Sequence, residues 1–196
     1  FQESAGSAVG ACWARGRGRV RLEKLKDEIP AMAKAVYPDR EWVLVFGEGP
    51  AQARLMLVGE APGEQEAMLG RPFVGKAGKL LDAFIAGTGL TRAEMYVTNT
   101  VKFRPSRVSK AGRVVNRTPT QEEIAAFLPF LKKEIAQVDP ACVVTLGNVP
   151  LRALLGEKET IGQAHGQLRR QEDRLYFPMY HPASMIYNPG LKAIFA

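Results

Sequence analysis

The chain has 196 residues, 46% of them hydrophobic and 24% charged, which suits one soluble globular domain with a sizeable buried core and excludes a disordered or fibrous protein. No apolar run approaches the ~18 residues that span a bilayer, and the N-terminal stretch has no apolar signal core, so a cytoplasmic protein without membrane contact is expected. The net charge of +7 fits either a polyanionic partner or simply a basic soluble surface, and the two cysteines, Cys12 and Cys142, lie far apart without metal-ligand spacing, as reduced thiols do.

Residues 1–20 read as a poorly ordered basic extension and 21–196 as a single domain. Val20, Leu22, Leu25 and Ile29 lie on one face of a helix that Pro30 should interrupt and Pro38 should end. Val43 to Phe46 is a short strand or extended arm. Leu55 to Val58 is a buried strand ended by Gly59, and a Gly- and Pro-containing loop then runs to Gly75. Lys76 to Ile85 reads as a helix with Leu80, Leu81 and Phe84 on one side, and Met95 to Thr98 as the next strand. Residues 102–118 are polar, basic and irregular. Thr120 and Glu123 form a capping box, opening a helix that carries Ile124, Phe127, Leu128, Leu131 and Ile135 despite Pro129. Cys142 to Leu146 is a third strand, Val149 to Leu155 a short helix, and Leu175 to Tyr180 leads through a fourth strand to His181.

Strands alternating with helices predict a parallel sheet covered on both faces. Ligands of such folds bind beyond the carboxyl ends of the strands. That rule selects Gly59 to Gly75, Asn99 to Pro105 and His181 to Asn188.

Gly70 to Lys76 fits the GxxxxGK pattern of a phosphate loop, but Ala77 replaces the magnesium-binding hydroxyl and no strand leads directly into the loop. The match is a coincidence. Taken singly, the acids of Gly59-Glu-Ala-Pro-Gly-Glu-Gln-Glu66 suit a solvated turn, Asn99 a strand-end turn, and His181 or His165 a structural histidine. Taken together, their order and spacing carry more.

GEAPGEQE at 59–66, GRPFVGKAG at 70–78, TNTVKFRP at 98–105, NRTPT at 116–120 and YHPAS at 180–184 resemble the family-4 uracil-DNA glycosylases, over about residues 43–188. The resemblance implies a three-layer α/β/α sandwich around a mostly parallel four-stranded sheet, and an enzyme that flips uracil out of single- or double-stranded DNA and hydrolyses its glycosidic bond as a monomer. In that family the acid at Glu60 helps place the attacking water, the backbone around Gly59 and Ala61 lines the uracil pocket, and Glu66 lies near the position of a 5-methyl group. Phe73 stacks on the base, Asn99 reads its edge, and His181 donates a hydrogen bond to uracil O2 as the bond breaks. The segment after the His-Pro-Ala motif implies DNA contact by Ser184 and a gap-filling wedge from Met185, Ile186 or Tyr187, with core packing as the alternative for these three. Arg104, Arg107, Lys110, Arg113 and Arg117, together with Lys76 and Lys79, are the expected phosphate contacts.

The chain departs from the family in two ways. Typical members hold a 4Fe–4S cluster on four cysteines; here two of those positions are Phe103 and Phe127, and Met32 to Tyr37 contains no cysteine. No metal cofactor is therefore expected, with both phenylalanines filling the volume of the cluster. The loop between Pro105 and Asn116 is also longer than usual. Two other readings remain open on the sequence: a non-catalytic DNA-binding module of the same fold, and a glycosylase acting mainly on hypoxanthine or xanthine. A nucleotide-dependent oxidoreductase is remote, because no GxGxxG follows a strand.

Overall fold

The computed structural model describes residues 22–37, 43–184, 188 and 190. The N-terminal extension, Cys12 and the wedge candidates Met185, Ile186 and Tyr187 lie outside the described residues.

In chain order the elements are α1 (Leu22–Val36), β1 (Leu55–Gly59), α2 (Glu64–Leu69), α3 (Lys76–Gly87), β2 (Met95–Asn99), β3 (Ser106–Val108), β4 (Val114–Asn116), α4 (Gln121–Val138), β5 (Cys142–Leu146), α5 (Asn148–Leu155), α6 (Ile161–Ala164), β6 (Arg169–Gln171) and β7 (Arg174–Met179). Among the described residues five strands form the main sheet in the order β2-β1-β5-β7-β6. The first four are parallel, and β6 adds an antiparallel edge through its hairpin with β7. The expected four-stranded parallel sheet is thus present, with one further strand. That strand escapes a hydrophobicity reading because Arg169-Arg170-Gln171 is short and polar, as edge strands that resist mispairing often are.

Alternation along the buried strands sends side chains to two cores. Met56, Val58, Tyr96 and Val143 meet Leu131, Ile135 and Val138 of α4 on one face. Leu57, Val97, Leu146 and Met179 meet Leu81 and Ile85 of α3 on the other. The result is the three-layer arrangement. α1 lies on α4, and its Leu25 and Ile29 join Val101, Phe103 and Phe127 in a third apolar cluster.

Three local expectations need correction. Pro30 does not interrupt α1, because it sits on the exposed side, where water can take up the carbonyl left without its helical partner. The loop after β1 contains α2, a six-residue helix bounded by Gly63 and the left-handed Gly70 and lacking a long apolar stripe. The stretch 102–118 is not wholly irregular: β3 and β4 pair as a hairpin. Residues 43–46 are the extended arm; Val45 N–H donates to the Lys102 carbonyl at 2.7 Å, and Glu48 bridges Val97 on the outer side of β2. The capping box on α4 forms as read, with Glu123 N–H donating to Thr120 Oγ1 at 3.2 Å and Thr120 N–H to Glu123 Oε2 at 2.8 Å. No helix among the described residues is long and apolar enough to cross a membrane.

Behind β2 lies a polar network within the first core. Lys102, 1% exposed, donates to Glu134 Oε2 at 2.6 Å and to the Asn99 carbonyl at 2.8 Å. Tyr96 and Thr98 hydroxyls donate to the same carboxylate. Burial, then the charge of Glu134, pushes the Tyr96 phenol far above its ordinary range, so it stays protonated and remains a donor. Removing one partner of a buried ion pair strands the other charge. Lys102→Met should therefore lower stability by about 3–5 kcal/mol, while Lys102→Met/Glu134→Leu should recover a large part of the loss. Urea unfolding of both variants checks this; equal midpoints for Lys102→Met and the parent protein would refute it.

Candidate active site

The three segments singled out by the sheet rule converge. Gly59 and Asn99 are register partners at the ends of β1 and β2. His181 stands two residues past β7, and Gly147, which ends β5, donates its N–H to the Met179 carbonyl at 2.8 Å. A Cβ on Gly147 would lie 3.3 Å from His181 Cβ, so the glycine keeps the histidine's place clear. Between these ends lies a cavity of about 350 Å³, lined by Ala61, Glu66, Phe73, Asn99 and His181 among others. That volume admits a nucleobase with room to spare.

His181 is held in one chemical form. Burial pushes its pKa from 6.5 down to about 4, against a weaker opposing pull from the Glu66 carboxylate. The ring is neutral at pH 7. Ala183 N–H donates to Nδ1 at 3.1 Å, and a nitrogen that accepts carries no proton. The proton therefore sits on Nε2, which has no partner among the described residues. Ser184 fixes the same turn, its N–H donating to the His181 carbonyl at 2.8 Å.

Phe73 packs beside His181 with ring centroids 6.0 Å apart and planes 29° from parallel. Its backbone has φ of 53°, a left-handed conformation that bulky residues avoid. Two features impose it. Arg92 donates from Nη1 to the Phe73 carbonyl at 2.7 Å and from Nη2 to the Pro72 carbonyl, while Asp82 and Glu48 neutralise it. Gly78 of α3 lies against the same carbonyl, so close that a Cβ there would sit 1.9 Å from the oxygen. Gly59 forms the floor: a Cβ on it would come 2.4 Å from Asn99 Oδ1 and 2.5 Å from Phe73 Cζ. Asn99 is 3% exposed, lines the cavity, and its amide makes no hydrogen bond to the described residues.

Glu66 explains the false phosphate loop. Its Oε1 accepts from Val74 N–H at 3.1 Å and Gly75 N–H at 2.8 Å, the amides at the start of α3. A carboxylate of the chain itself holds the helix N-terminus where a phosphate would otherwise bind. This also fixes Glu66 in the cavity wall.

The other expected site residues divide. Glu60 leaves β1 toward Thr118 and is not among the residues lining the cavity. Burial raises its pKa, and a hydrogen bond with the Thr118 side chain opposes the rise. Arg104 and Arg117, expected on phosphates, turn inward. Arg104 donates to Asn116 Oδ1 at 2.7 Å and pairs with Glu64, and Arg117 grips both oxygens of Glu123 at 2.6 and 2.7 Å. These pairs tie the hairpin base to α2 and α4. Arg107, Lys110 and Arg113 remain exposed on the hairpin, and Lys76 and Lys79 on α3; Lys76 also reaches the cavity. His165 is structural, its Nδ1 accepting from Tyr180 N–H at 3.2 Å and its ring 4.6 Å from that of Tyr180.

Sequence reading missed Asn116, which lines the cavity, and the supporting residues Lys102, Glu134 and Arg92. Asn116 stood inside the NRTPT motif without a role; the arginine twelve residues before it, which it accepts from, gave no signal by spacing alone.

The positions of the family's cluster ligands are now visible. Phe103 and Phe127, 3% and 0% exposed, meet with ring centroids 5.7 Å apart, and Met32 packs on the same apolar cluster. Their contact is the one expected of positions that converge on one centre. The space is apolar and tightly filled, and its side chains offer no thiolate, so the residues present do not fit an iron–sulfur cluster.

A sequence profile of the uracil DNA glycosylase superfamily matches residues 46–195. The chain is 38% identical over 182 residues to a type-4 uracil-DNA glycosylase of Sulfurisphaera tokodaii, covering 88% of this chain and 79% of that protein. It is 36% identical to one of Saccharolobus solfataricus, covering 88% and 81%. The crystal structure of SMUG2 from Pedobacter heparinus shares the fold, with a TM-score of 0.52 at 14% identity over 88% of this chain and 79% of that one. Fold, the order of the site segments and sequence identity thus agree, and the chain belongs to the uracil-DNA glycosylase superfamily, with the type-4 enzymes.

Proposed function

We propose that this protein removes uracil from DNA by hydrolysing the N-glycosidic bond, leaving an abasic site. The observation that carries the reading is His181: a neutral imidazole, its proton held on Nε2 by Ala183, in a cavity that admits a nucleobase beside Phe73 and Asn99.

Uracil leaves as an anion while the sugar becomes cation-like, so the barrier is electrostatic. A fixed Nε2–H donor to uracil O2 acts on charge that grows only as the bond breaks, the case in which a hydrogen bond accelerates chemistry. Phe73 gives a stacking face that accepts any base. Choice comes from the edge: the Asn99 amide offers an acceptor to N3–H and a donor to O4, a pairing cytosine cannot match in the same orientation. Glu66, anchored on two backbone amides, stands where a 5-methyl group would intrude. Glu60, outside the base cavity beside Thr118 and made more basic by burial, is the carboxylate we assign to orient water at the sugar, which also stays outside the cavity. The base must first leave the stack, as in base-excising enzymes generally, at a cost of a few kcal/mol that is least for mispaired or unpaired uracil.

The enzyme works as a monomer without an iron–sulfur cluster, so the purified protein should be colourless. Stoichiometric iron would overturn that part. The activity itself is tested by base release from U:G, U:A, single-stranded uracil and hypoxanthine substrates in EDTA. Uracil should be released from all three of its contexts. No release would leave a DNA-binding module, and faster release of hypoxanthine would reassign the substrate.

A further inference from the structure

The hairpin β3–β4 carries an apolar pair that the proposed chemistry does not use. Val108 and Val114 are register partners, and both are exposed, at 68% and 55%. Side chains two apart on a strand share a face, so Val114 lies on the same face as Asn116, and Val108 on the same face as Ser106. Asn116 lines the cavity. The valine pair therefore continues the cavity-side face outward, with Val114 about 7 Å along the strand from Asn116. Arg107, Lys110 and Arg113 are exposed on the same hairpin, Arg107 and Arg113 on its opposite face and Lys110 at its tip.

The hairpin is built to hold this shape. At its base Arg104 binds Asn116, and Arg117 N–H donates to the Pro105 carbonyl at 3.0 Å. At its tip Ser109 N–H donates to the Arg113 carbonyl at 2.8 Å, Gly112 N–H to the Ser109 carbonyl at 3.0 Å, and Gly112 takes φ of 74°. Two valines are too small for a protein interface, which needs about 800 Å² from each partner. A small apolar face, continuous with the cavity, with a lysine at the hairpin tip and two arginines on the reverse side, matches a nucleic acid strand, which offers sugar and base surface beside phosphate.

We propose that this hairpin is a second DNA-engaging element. Val108 and Val114 pack on the sugar and base of a nucleotide within one or two steps of the flipped uridine, while Lys110 at the tip takes a flanking phosphate and Arg107 and Arg113, reaching round the hairpin from its reverse side, add to the attraction for the backbone. The valines cover stacked surface exposed when the uracil leaves, so they act on duplex DNA above all. The inference rests on the glycosylase reading.

Val108→Thr/Val114→Thr keeps the β-branched shape and removes the apolar surface, and Arg107→Gln/Lys110→Gln removes charge. The valine variant should lose roughly tenfold in kcat/KM on U:A duplex, the scale of burying one valine side chain, with less than about twofold loss on single-stranded uracil. The charge variant should lose on both substrates and show a shallower salt dependence. Binding to duplex DNA with an abasic site, measured alongside, should weaken for both variants. Unchanged duplex activity of the valine variant, or equal loss on both substrates, would overturn the proposal. If the parent protein released no uracil at all, the glycosylase reading would fail instead, and the binding arm alone would decide for or against the hairpin.

Discussion

His181→Ala is expected to slow single-turnover uracil release by about 10²–10³-fold, the usual cost of one lost donor at an oxygen that gains charge. Binding of uracil-containing DNA should change little, because the donor acts mostly after the bond begins to stretch. The acid side of the pH profile gives a second check. The folded histidine titrates at about 4 and the unfolded one near 6.5, so between these values the unfolded chain binds the extra proton. The stabilising contribution is complete above 6.5 and is lost as pH falls toward 4, by up to roughly 3 kcal/mol. Excision should accordingly show no loss near pH 6.5 that His181→Ala abolishes, while the variant should lose less stability than the parent between pH 7 and 4.5 in urea unfolding. A variant rate near that of the parent would remove His181 from the chemistry.

Asn99→Asp should have an effect of similar size on uracil and the opposite sign on cytosine. The exchange keeps side-chain size and turns the amide into an acceptor-only carboxylate. Uracil O4 then loses a donor and faces repulsion, so uracil release should fall sharply. Cytosine N4–H₂ gains an acceptor. Discrimination through unpaired buried polar groups can reach several orders of magnitude, so the uracil-to-cytosine ratio should move visibly. Weak cytosine release should appear, most readily in unpaired DNA; cytosine N3 still needs a donor, so the new activity should stay poor unless the carboxylate or the base is protonated, and acidic pH should help. Uracil release at the parent rate would show that Asn99 does not read the base edge.

The strands that carry the site were legible because each is an apolar run with a marked end: Gly59 after Leu55 to Val58, Asn99 after Met95 to Thr98, and Gly147 after Cys142 to Leu146. The helix at 121 was legible through its Thr120–Glu123 box, whose two hydrogen bonds are local in sequence. The elements that escaped lack such signals. α2 has only six residues, β6 is Arg-Arg-Gln, and β3 and β4 have three residues each, which is too few for a period to show. The site divides in the same way. Side chains inside strand-end motifs could be named in advance. Lys102 and Glu134, 32 positions apart, and Arg92 and Phe73, 19 apart, are joined only by the fold, so neither the buried ion pair nor the clamp could be read from spacing. Arg104 and Arg117 show the converse. Their charge suited phosphate, but Glu64, Asn116 and Glu123 lie closer, and partners supplied by the chain itself come first.

The twisted backbone at Phe73 bears on how the enzyme handles different DNA contexts. The Phe73 wall of the cavity is locked by Arg92 and Gly78 before any substrate arrives, so its ordering entropy and its strain are set against folding rather than against binding. A base that reaches the cavity meets a surface already in place. Discrimination among contexts then falls outside the cavity, on the work of unpairing and extruding the base. U:G, U:A and single-stranded uracil should consequently differ in how often the base arrives, and much less in how fast it is cleaved once there.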